Sequence, residues 1–353
     1  MKDEPGQAPL VSVVIPAFNA ERTLAETVAS ASAQSWPNLE IVIVDDGSTD
    51  STPQVAEALA RQDPRITVTR KARGGCASAR NAGMARARGD YIASLDADDL
   101  WHPEKTALQM KALLAPAAPA FVYCYARRLD GLGRVVGTVE PIAVSGGGLR
   151  RHLYTNFIGA GGSSIIFRRS ALAAVGGYDE TLRRCEGLLT QLRLVSIGHV
   201  EVVPLFLAGY RIGPYSQSWD RDEMFRSWLR IRALIEPSCS GTARRALLWG
   251  HGKRCLAHAE SLAYRGRWGE ALLHIAHSIR LDPSRNSLYL APRLWRRTKR
   301  SFAGRSPEVP GPHFHDMDPA EGLSGAESTL FERFEARRFD RLRRFDEAGP
   351  RPG

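Results

Sequence analysis

Residues 40 to 44, Glu-Ile-Val-Ile-Val, form a largely β-branched run that stops abruptly at Asp45-Asp46-Gly47-Ser48. A continuous apolar run of this kind is buried on both faces, as in the middle of a parallel sheet, and it needs helices on either side to cover it. The neighbouring sequence supplies them. Val11 to Ile15 is a second such run, closed by Pro16, and Ala20 to Gln34 places Leu24, Val28 and Ala31 on one helical face. Thr52 to Arg61 predicts another helix, Ile66 to Thr69 a third strand, Ser78 to Arg88 a helix stopped by Gly89, and Tyr91 to Leu95 a fourth strand. Strand and helix in alternation specify an α/β fold with a wound, mostly parallel sheet flanked by helices. The fourth strand delivers Asp96-Ala97-Asp98-Asp99 at its carboxyl end, which is where open α/β sheets bind ligands, so acidic residues from two strand ends converge on one crevice.

Further along, residues 120 to 139 read as a strand pair turning at Gly131, Ser163 to Arg168 as a strand, and Ser170 to Val175 and Gly187 to Ile197 as helices. After Tyr210-Arg211 the alternation gives way to long helical patterns, an all-α C-terminal region. The expected division is an α/β domain over 1–220, a helical accessory region over 221–303, a disordered linker over 304–328, and an amphipathic helix and tail over 329–353. Within the accessory region two helices flank Arg265-Gly266-Arg267, the second with Trp268, Ala271, Leu272, Ile275 and Ile279 on its apolar side. The run from Ala259 to Pro283 resembles one tetratricopeptide unit, which cannot bury its faces alone and is expected to pack on the α/β domain or on a partner.

Charge separates the regions. Residues 1–220 carry 23 Lys/Arg against 22 Asp/Glu, residues 221–305 carry 18 against 6, and residues 306–353 carry 7 against 10. The basic middle suits a solvated surface, an acidic partner or anionic lipid, but it lacks any interleaved aromatic platform for nucleic acid. Phe331, Phe334, Phe339, Leu342 and Phe345 fall on one side of the last helix with Arg333, Arg337, Arg341 and Arg344 towards the other, so that helix is expected to dock on the body or lie on an anionic membrane surface. No apolar stretch reaches the ~20 residues of a membrane span, and no cleavable leader is visible, which predicts a cytoplasmic protein, peripheral on the inner face of the membrane if bound there. Cys76, Cys124, Cys185, Cys239 and Cys255 are odd in number and lack CxxC spacing, which argues against a disulfide framework and against zinc.

Five segments in order, VSVVIPAFNAERTL, EIVIVDDGSTDST, GGCASARNAGMARARGDYIASLDADD, SSIIFRRSALAAVGGYDE and a late Tyr-Arg followed by Ser216 and Ser218, resemble the family 2 glycosyltransferases with the GT-A fold. The resemblance covers residues 10 to 218 or so and implies a nucleotide-sugar donor, most often a UDP-sugar, with Mn2+ or Mg2+ as cofactor. It places the base beside Pro16, Phe18 and Asp46. Phe18 is alternatively core, and Asp46 alternatively a helix cap. It places Asp98 on the metal and Asp96 near the ribose or metal, because a hard cation held by carboxylates neutralises a diphosphate leaving group. Arg80 and Arg211 would grip the diphosphate or, on the plainer reading, form ordinary ion pairs. Asp99 is expected to cap a helix starting at Leu100.

Inverting transfer needs one general base to take the acceptor proton. The family pattern has Glu-Asp at the start of the helix after the GGYDE segment, the Asp serving as base, but here the pair is Glu186-Gly187. Glycine cannot accept a proton. Either Glu186 is the base, or Asp179, Glu180 or Asp220 substitutes, or catalysis is impaired and the chain is a non-catalytic sugar-nucleotide scaffold or sensor. The resemblance otherwise implies transfer to a saccharide or lipid-linked acceptor in surface polysaccharide or glycoconjugate assembly.

Overall fold

The computed structural model describes residues 8–139, 142–159, 161–212, 220–286, 312–321 and 330–347. The chain divides into two compact units: Met1–Gly146, Phe157–Ser216 and Gly311–Leu323 form the first, and Gly147–Asn156, Gln217–Pro310 and Ser324–Gly353 the second.

The first unit is built on one sheet. β1 (Val11–Ala17) lies between β2 (Leu39–Asp45) and β4 (Tyr91–Ser94), parallel to both, with β3 (Ile66–Arg70) parallel beyond β2. Every residue of β1 and β2 is buried, the consequence of their unbroken apolar runs. β8 (Ile165–Arg168) runs against both β4 and β6 (Phe121–Leu129), β9 (Val200–Arg211) is parallel to β6, and β5 (Leu100–Trp101) and β7 (Val135–Thr138) pair antiparallel with β9 and β6. The order is β3-β2-β1-β4-β8-β6-β9-β5, with β7 beside β6. Because β8 reverses direction twice over, β6 and β9 point the same way as β1, β2 and β4, and the carboxyl ends of all five lie on one side.

Helices α1 (Leu24–Ser32), α2 (Thr52–Gln62) and α3 (Cys76–Arg86) make the crossovers of the parallel half. The second half is completed by α4 (Lys105–Leu113), α6 (Arg169–Ala174) and α7 (Glu186–Ile197). β9 escapes sequence patterning because Pro204 and Gly209 interrupt it; the β6 partners jump from Cys124↔Val203 to Tyr125↔Phe206, so Pro204 sits in a bulge where its missing N–H breaks no ladder bond.

The segment 304–328, expected as disordered linker, contains a stretch that is ordered. Within residues 312–321, Phe314 is buried against Leu100 and Leu129, Val135 N–H donates to Pro312 O at 2.9 Å, and Arg127 donates to Asp318 O at 2.6 Å and Glu321 O at 2.9 Å. One aromatic anchor and several backbone bonds outweigh a Pro- and Gly-rich composition. The rest of 304–328 lies outside the described residues.

In the second unit α5 (Leu149–Tyr154), α8 (Arg221–Ile235), α9 (Gly241–Tyr264), α10 (Trp268–Leu281) and α11 (Leu330–Glu347) pack together. The apolar face expected of α10 is only partly buried: Ala271 packs on Ala259 and Leu262 with Ile275 beside them, whereas Trp268 and Leu272 are more than half exposed. A tetratricopeptide arrangement is therefore not evident. α11 docks on its own unit through buried Leu342 and through Asp346, whose carboxylate accepts from Arg150 N–H at 2.9 Å and pairs with Arg151 at 3.1 Å. Side chains of Phe331 and Phe334 lie outside the described residues. No helix among the described residues is long and apolar enough to cross a membrane.

Gly83 lets α3 lie against the sheet: a Cβ there would come within 2.3 Å of Val14 Cγ1 and 3.2 Å of Val44 Cγ2. Alanine would gain about 1 kcal/mol of helix propensity, but overpacking a closed core costs about 1–3 kcal/mol. Gly83→Ala is therefore expected to lower the urea midpoint by a net loss of about 1 kcal/mol; an unchanged or raised midpoint would show that the helix is not held this close.

Candidate active site

Three strand ends build the site. At the end of β2, Asp46 is buried and both carboxylate oxygens are engaged: Oδ1 accepts from Lys71 Nζ and Gly74 N–H at 2.9 Å each, and Oδ2 from Gly75 N–H at 2.7 Å. Gly75 has φ +90°, a left-handed conformation that only glycine adopts without strain, so the loop can turn its amides inward before α3. Asp46 thus organises residues 71–75 and caps no helix. Phe18 is half-buried, outside the core, with the Arg73 guanidinium 4.0 Å from its ring centroid. Pro16 is buried in β1 beyond the last β4 pairing, Val14↔Ser94, where an absent N–H goes unmissed. Lys71 and Arg73 were not anticipated; the signal was a basic stretch, Lys-Ala-Arg-Gly-Gly, just before a helix start.

At the end of β4, the turn Asp96-Ala97-Asp98-Asp99 is closed by Asp99 N–H to Asp96 O at 3.0 Å. Ser163 locks it: Asp96 N–H donates to Ser163 Oγ at 3.1 Å, and that hydroxyl donates to Asp99 Oδ2 at 2.5 Å. Asp99 is fully buried and accepts a second bond from Arg211 N–H at 2.9 Å. It caps no helix, because Leu100 and Trp101 enter the strand β5 and α4 begins only at Lys105. Burial, and after it the charges of Asp98 and Asp96, push the Asp99 carboxyl well above the usual carboxylate range.

Asp98 is different. Its surface is open to solvent, and no side chain forms a hydrogen bond or ion pair with it among the described residues. Desolvation by the surrounding protein, followed by the charge of Asp96, nonetheless pushes its pKa up to about 6, with Arg211 acting the other way. An open, unpaired carboxylate destabilised by a like charge is the donor set a hard divalent cation relieves, so Asp98 with Asp96 fits Mn2+ or Mg2+.

The two arginines expected on the diphosphate use their donors inside the protein. Arg211, at the end of β9, donates Nε to Asp98 O at 2.8 Å, Nη1 to Gly131 O at 2.8 Å and Nη2 to Glu26 at 2.8 Å. Ser216 and Ser218, which follow it, lie outside the described residues. Arg80 on α3 is buried and donates Nε to Ser94 Oγ at 3.1 Å, Nη2 to Asp96 at 2.6 Å and Nη1 to Glu186 Oε1. The adjacent carboxylates outweigh burial and hold its pKa above the usual arginine range. Both arginines thus position carboxylates and carbonyls instead of facing outward.

Glu186 opens α7 after Cys185, which has φ +59°. Its Oε1 is taken by Arg80, and Oε2 has no partner among the described residues. The other candidate bases are held elsewhere: Asp179 accepts from Thr181 and pairs with Arg193, Glu180 accepts from Asn81 at 2.8 Å, and Asp220 belongs to the second unit and caps α8. A Cβ on Gly187 would touch only Gln191 Nε2, at 3.7 Å, so the position has room for a side chain.

The Asp98 shift fixes a sign. Its folded pKa, about 6, is raised above an unfolded value of 3.8, so the metal-free fold loses stability as pH rises through that window. Asp98→Asn is expected to raise the metal-free melting midpoint at pH 7 by the equivalent of about 1 kcal/mol, discounted for solvent screening, and to change it little at pH 3.5. A fall at pH 7 would mean that the carboxylate is a stabilising partner after all.

Residues 12–176 match the family model of glycosyl transferase family 2. Hyaluronan synthase of Pasteurella multocida is 38% identical over 130 residues, 37% of this chain and 13% of that protein. Chondroitin synthase of Pasteurella multocida strain Pm70 is 39% identical over 128 residues, again 13% of its length, so this chain corresponds to a small part of either relative. Among solved structures, S. aureus TarS (residues 1–349) in complex with UDP-GlcNAc superposes with a TM-score of 0.60 at 20% identity, over 77% of this chain and 83% of that one. The mannosyltransferase PcManGT of Pyrobaculum calidifontis, in complex with GDP-Man and Mn2+, gives 0.57 at 20% identity, over 82% and 81%. The matched sequence, with the sheet that carries these strand ends, makes residues 12–176 a glycosyl transferase family 2 domain on the GT-A fold.

Proposed function

We propose that the chain transfers a sugar from a nucleotide-sugar donor, a UDP-sugar, to a hydroxyl of a saccharide or lipid-linked acceptor, with inversion at the anomeric carbon. The observation that carries this reading is the Arg80 cluster. One buried guanidinium joins Asp96, from the turn that would hold the donor, to Glu186, the carboxylate that would take the acceptor proton. The two halves of a displacement are thereby brought within one side chain's width at the carboxyl end of the sheet.

In this reading Asp46, with Phe18 and buried Pro16 behind it, borders the site of the nucleobase, where the Asp46 carboxylate can accept from a base N–H. A divalent cation, Mn2+ or Mg2+, held by Asp98 and Asp96 supplies neutralisation of the charge gathering on the leaving diphosphate. Arg80 holds the Asp96 carboxylate and Arg211 the backbone carbonyl of Asp98 in place. Glu186 Oε2 accepts the hydroxyl proton as the acceptor oxygen attacks the anomeric carbon and the nucleoside diphosphate departs with the electron pair of the broken C–O bond. A UDP donor and a metal are supported by the neighbours solved with UDP-GlcNAc and with GDP-Man and Mn2+. Surface polysaccharide or glycoconjugate assembly is supported by relatives named for hyaluronan and chondroitin synthesis. Such a reaction belongs in the cytoplasm, at the inner face of the membrane when the acceptor is lipid-linked. Gly187 favours a second reading, a sugar-nucleotide-binding scaffold without turnover, because it stands where the family carries its base.

Two variants decide between them. Glu186→Gln is expected to lower the transfer rate ~10²–10⁴-fold, the usual contribution of a general base, while leaving UDP affinity in the presence of Mn2+ within about twofold, and Gly187→Asp is expected to raise the rate. Equal rates for Glu186→Gln and the unaltered chain would remove Glu186 from the chemistry. Donor binding without turnover in all three forms would establish the scaffold. Asp98→Ala is expected to abolish Mn2+-dependent UDP binding, measured by calorimetry; undiminished affinity would overturn the donor-site assignment.

A further inference from the structure

The second unit contains a group of metal-ligating side chains that the transfer reaction does not use. His251 and Cys255 stand one turn apart on α9, both buried, and His277 projects from α10 with its side chain exposed. Their ligating atoms all lie within 4.8 Å of one another, and Cys255 Sγ is 3.7 Å from each nitrogen of the His251 ring. The His251 and His277 rings meet edge to face at 5.4 Å. A tetrahedral zinc ion with Zn–N of ~2.0–2.1 Å and Zn–S of ~2.3 Å separates its donors by roughly 3.3–3.6 Å, so small side-chain movements would bring these three onto one ion. The donor set, one thiolate and two imidazoles, is borderline-soft, unlike the oxygen-only set at Asp96 and Asp98.

We propose that the helical unit binds one zinc ion through His251, Cys255 and His277, with the fourth position open to solvent beside His277. The ion would pin α9 to α10. One consequence is specific to this geometry. Trp228 Nε1–H donates to His251 Nδ1 at 3.1 Å, which puts the lone pair on Nδ1 and the proton on Nε2 in the metal-free protein. Ligation through Nδ1 displaces the indole; ligation through Nε2 requires the ring proton to move to Nδ1. Either way Trp228 loses its acceptor. Ligation by Cys255 also sends the thiol proton to solvent, so binding releases one proton per ion.

The test uses the full-length, untagged chain, stripped of metal under reducing conditions and titrated with Co2+ as a spectroscopic probe, then with Zn2+. The expected result is one Co2+ per chain with near-ultraviolet thiolate-to-cobalt absorption and the strong visible bands of four-coordination, both lost when Zn2+ displaces it. Cobalt at the oxygen-only carboxylate turn gives neither signal. Cys255→Ser should abolish the thiolate band. His277→Gln, at an exposed position that leaves folding intact, should weaken Co2+ affinity tenfold or more, and the metal-dependent fluorescence change of the unaltered chain should be missing from Trp228→Phe. Absence of the thiolate band, or equal affinity in His277→Gln, overturns the proposal, and neither result bears on sugar transfer.

Discussion

A guanidinium removed from water must be met by opposite charge, and the placement of Arg80 imposes that demand at the centre of the site. Its three directions are met by Ser94 on β4, Asp96 in the turn after β4 and Glu186 at the start of α7. Breaking one contact would leave a buried charge or carboxylate uncompensated, which is far costlier than losing a surface pair. The arginine thereby couples a strand end to a helix some ninety residues later in the chain, and it does so only because α3 lies close enough to the sheet, at Gly83, to deliver it. Arg211 acts in the same way from the other side, joining the backbone of Asp98, the β6–β7 turn and Glu26 on α1.

What these two cations leave unbalanced is informative. Asp96 is paired and Asp99 is buried and hydrogen-bonded, while Asp98 stands open with its pKa raised by the surrounding protein and by Asp96. The apo site holds a carboxylate whose charge is unfavourable until something positive arrives. Preorganised repulsion of this kind lowers stability in exchange for affinity, a compromise common where a fold carries chemistry. Lys71 and Arg73 complete the picture past the end of β2, where Asp46 holds Lys71 and the Arg73 guanidinium stacks on Phe18.

Much of this architecture was legible. Unbroken β-branched runs announced β1 and β2, the strand-to-carboxylate junctions put Asp46 and Asp96 to Asp99 just past the ends of β2 and β4, and the missing aspartate at Gly187 was visible in a linear reading. Other features were not. β9 is hidden by Pro204 and Gly209, which are tolerated only because a bulge against β6 absorbs them. Residues 312–321 have the composition of a linker, yet Phe314 anchors them beside Leu100 and Leu129. The five cysteines lack zinc spacing in sequence, whereas helix pairing sets Cys255 among His251 and His277.

The sequence by itself determined the alternation of strand and helix, the side of the sheet on which acidic residues gather and the family to which residues 12–176 belong. These depend on local periodicity and on short ordered segments, both of which survive in one dimension. Only the tertiary structure decided what each charged group faces. Arg80 and Arg211 read as grips for a diphosphate or as ordinary ion pairs, and the resemblance that set Asp98 apart from its neighbour expected Asp99 to cap a helix, whereas Asp99 is fully buried and Asp98 open. Their difference arises from burial and from partners such as Ser163 and Glu186, brought to them across long stretches of chain. Electrostatic character depends on three-dimensional surroundings, so the burial and partners of these residues could not be read from one dimension.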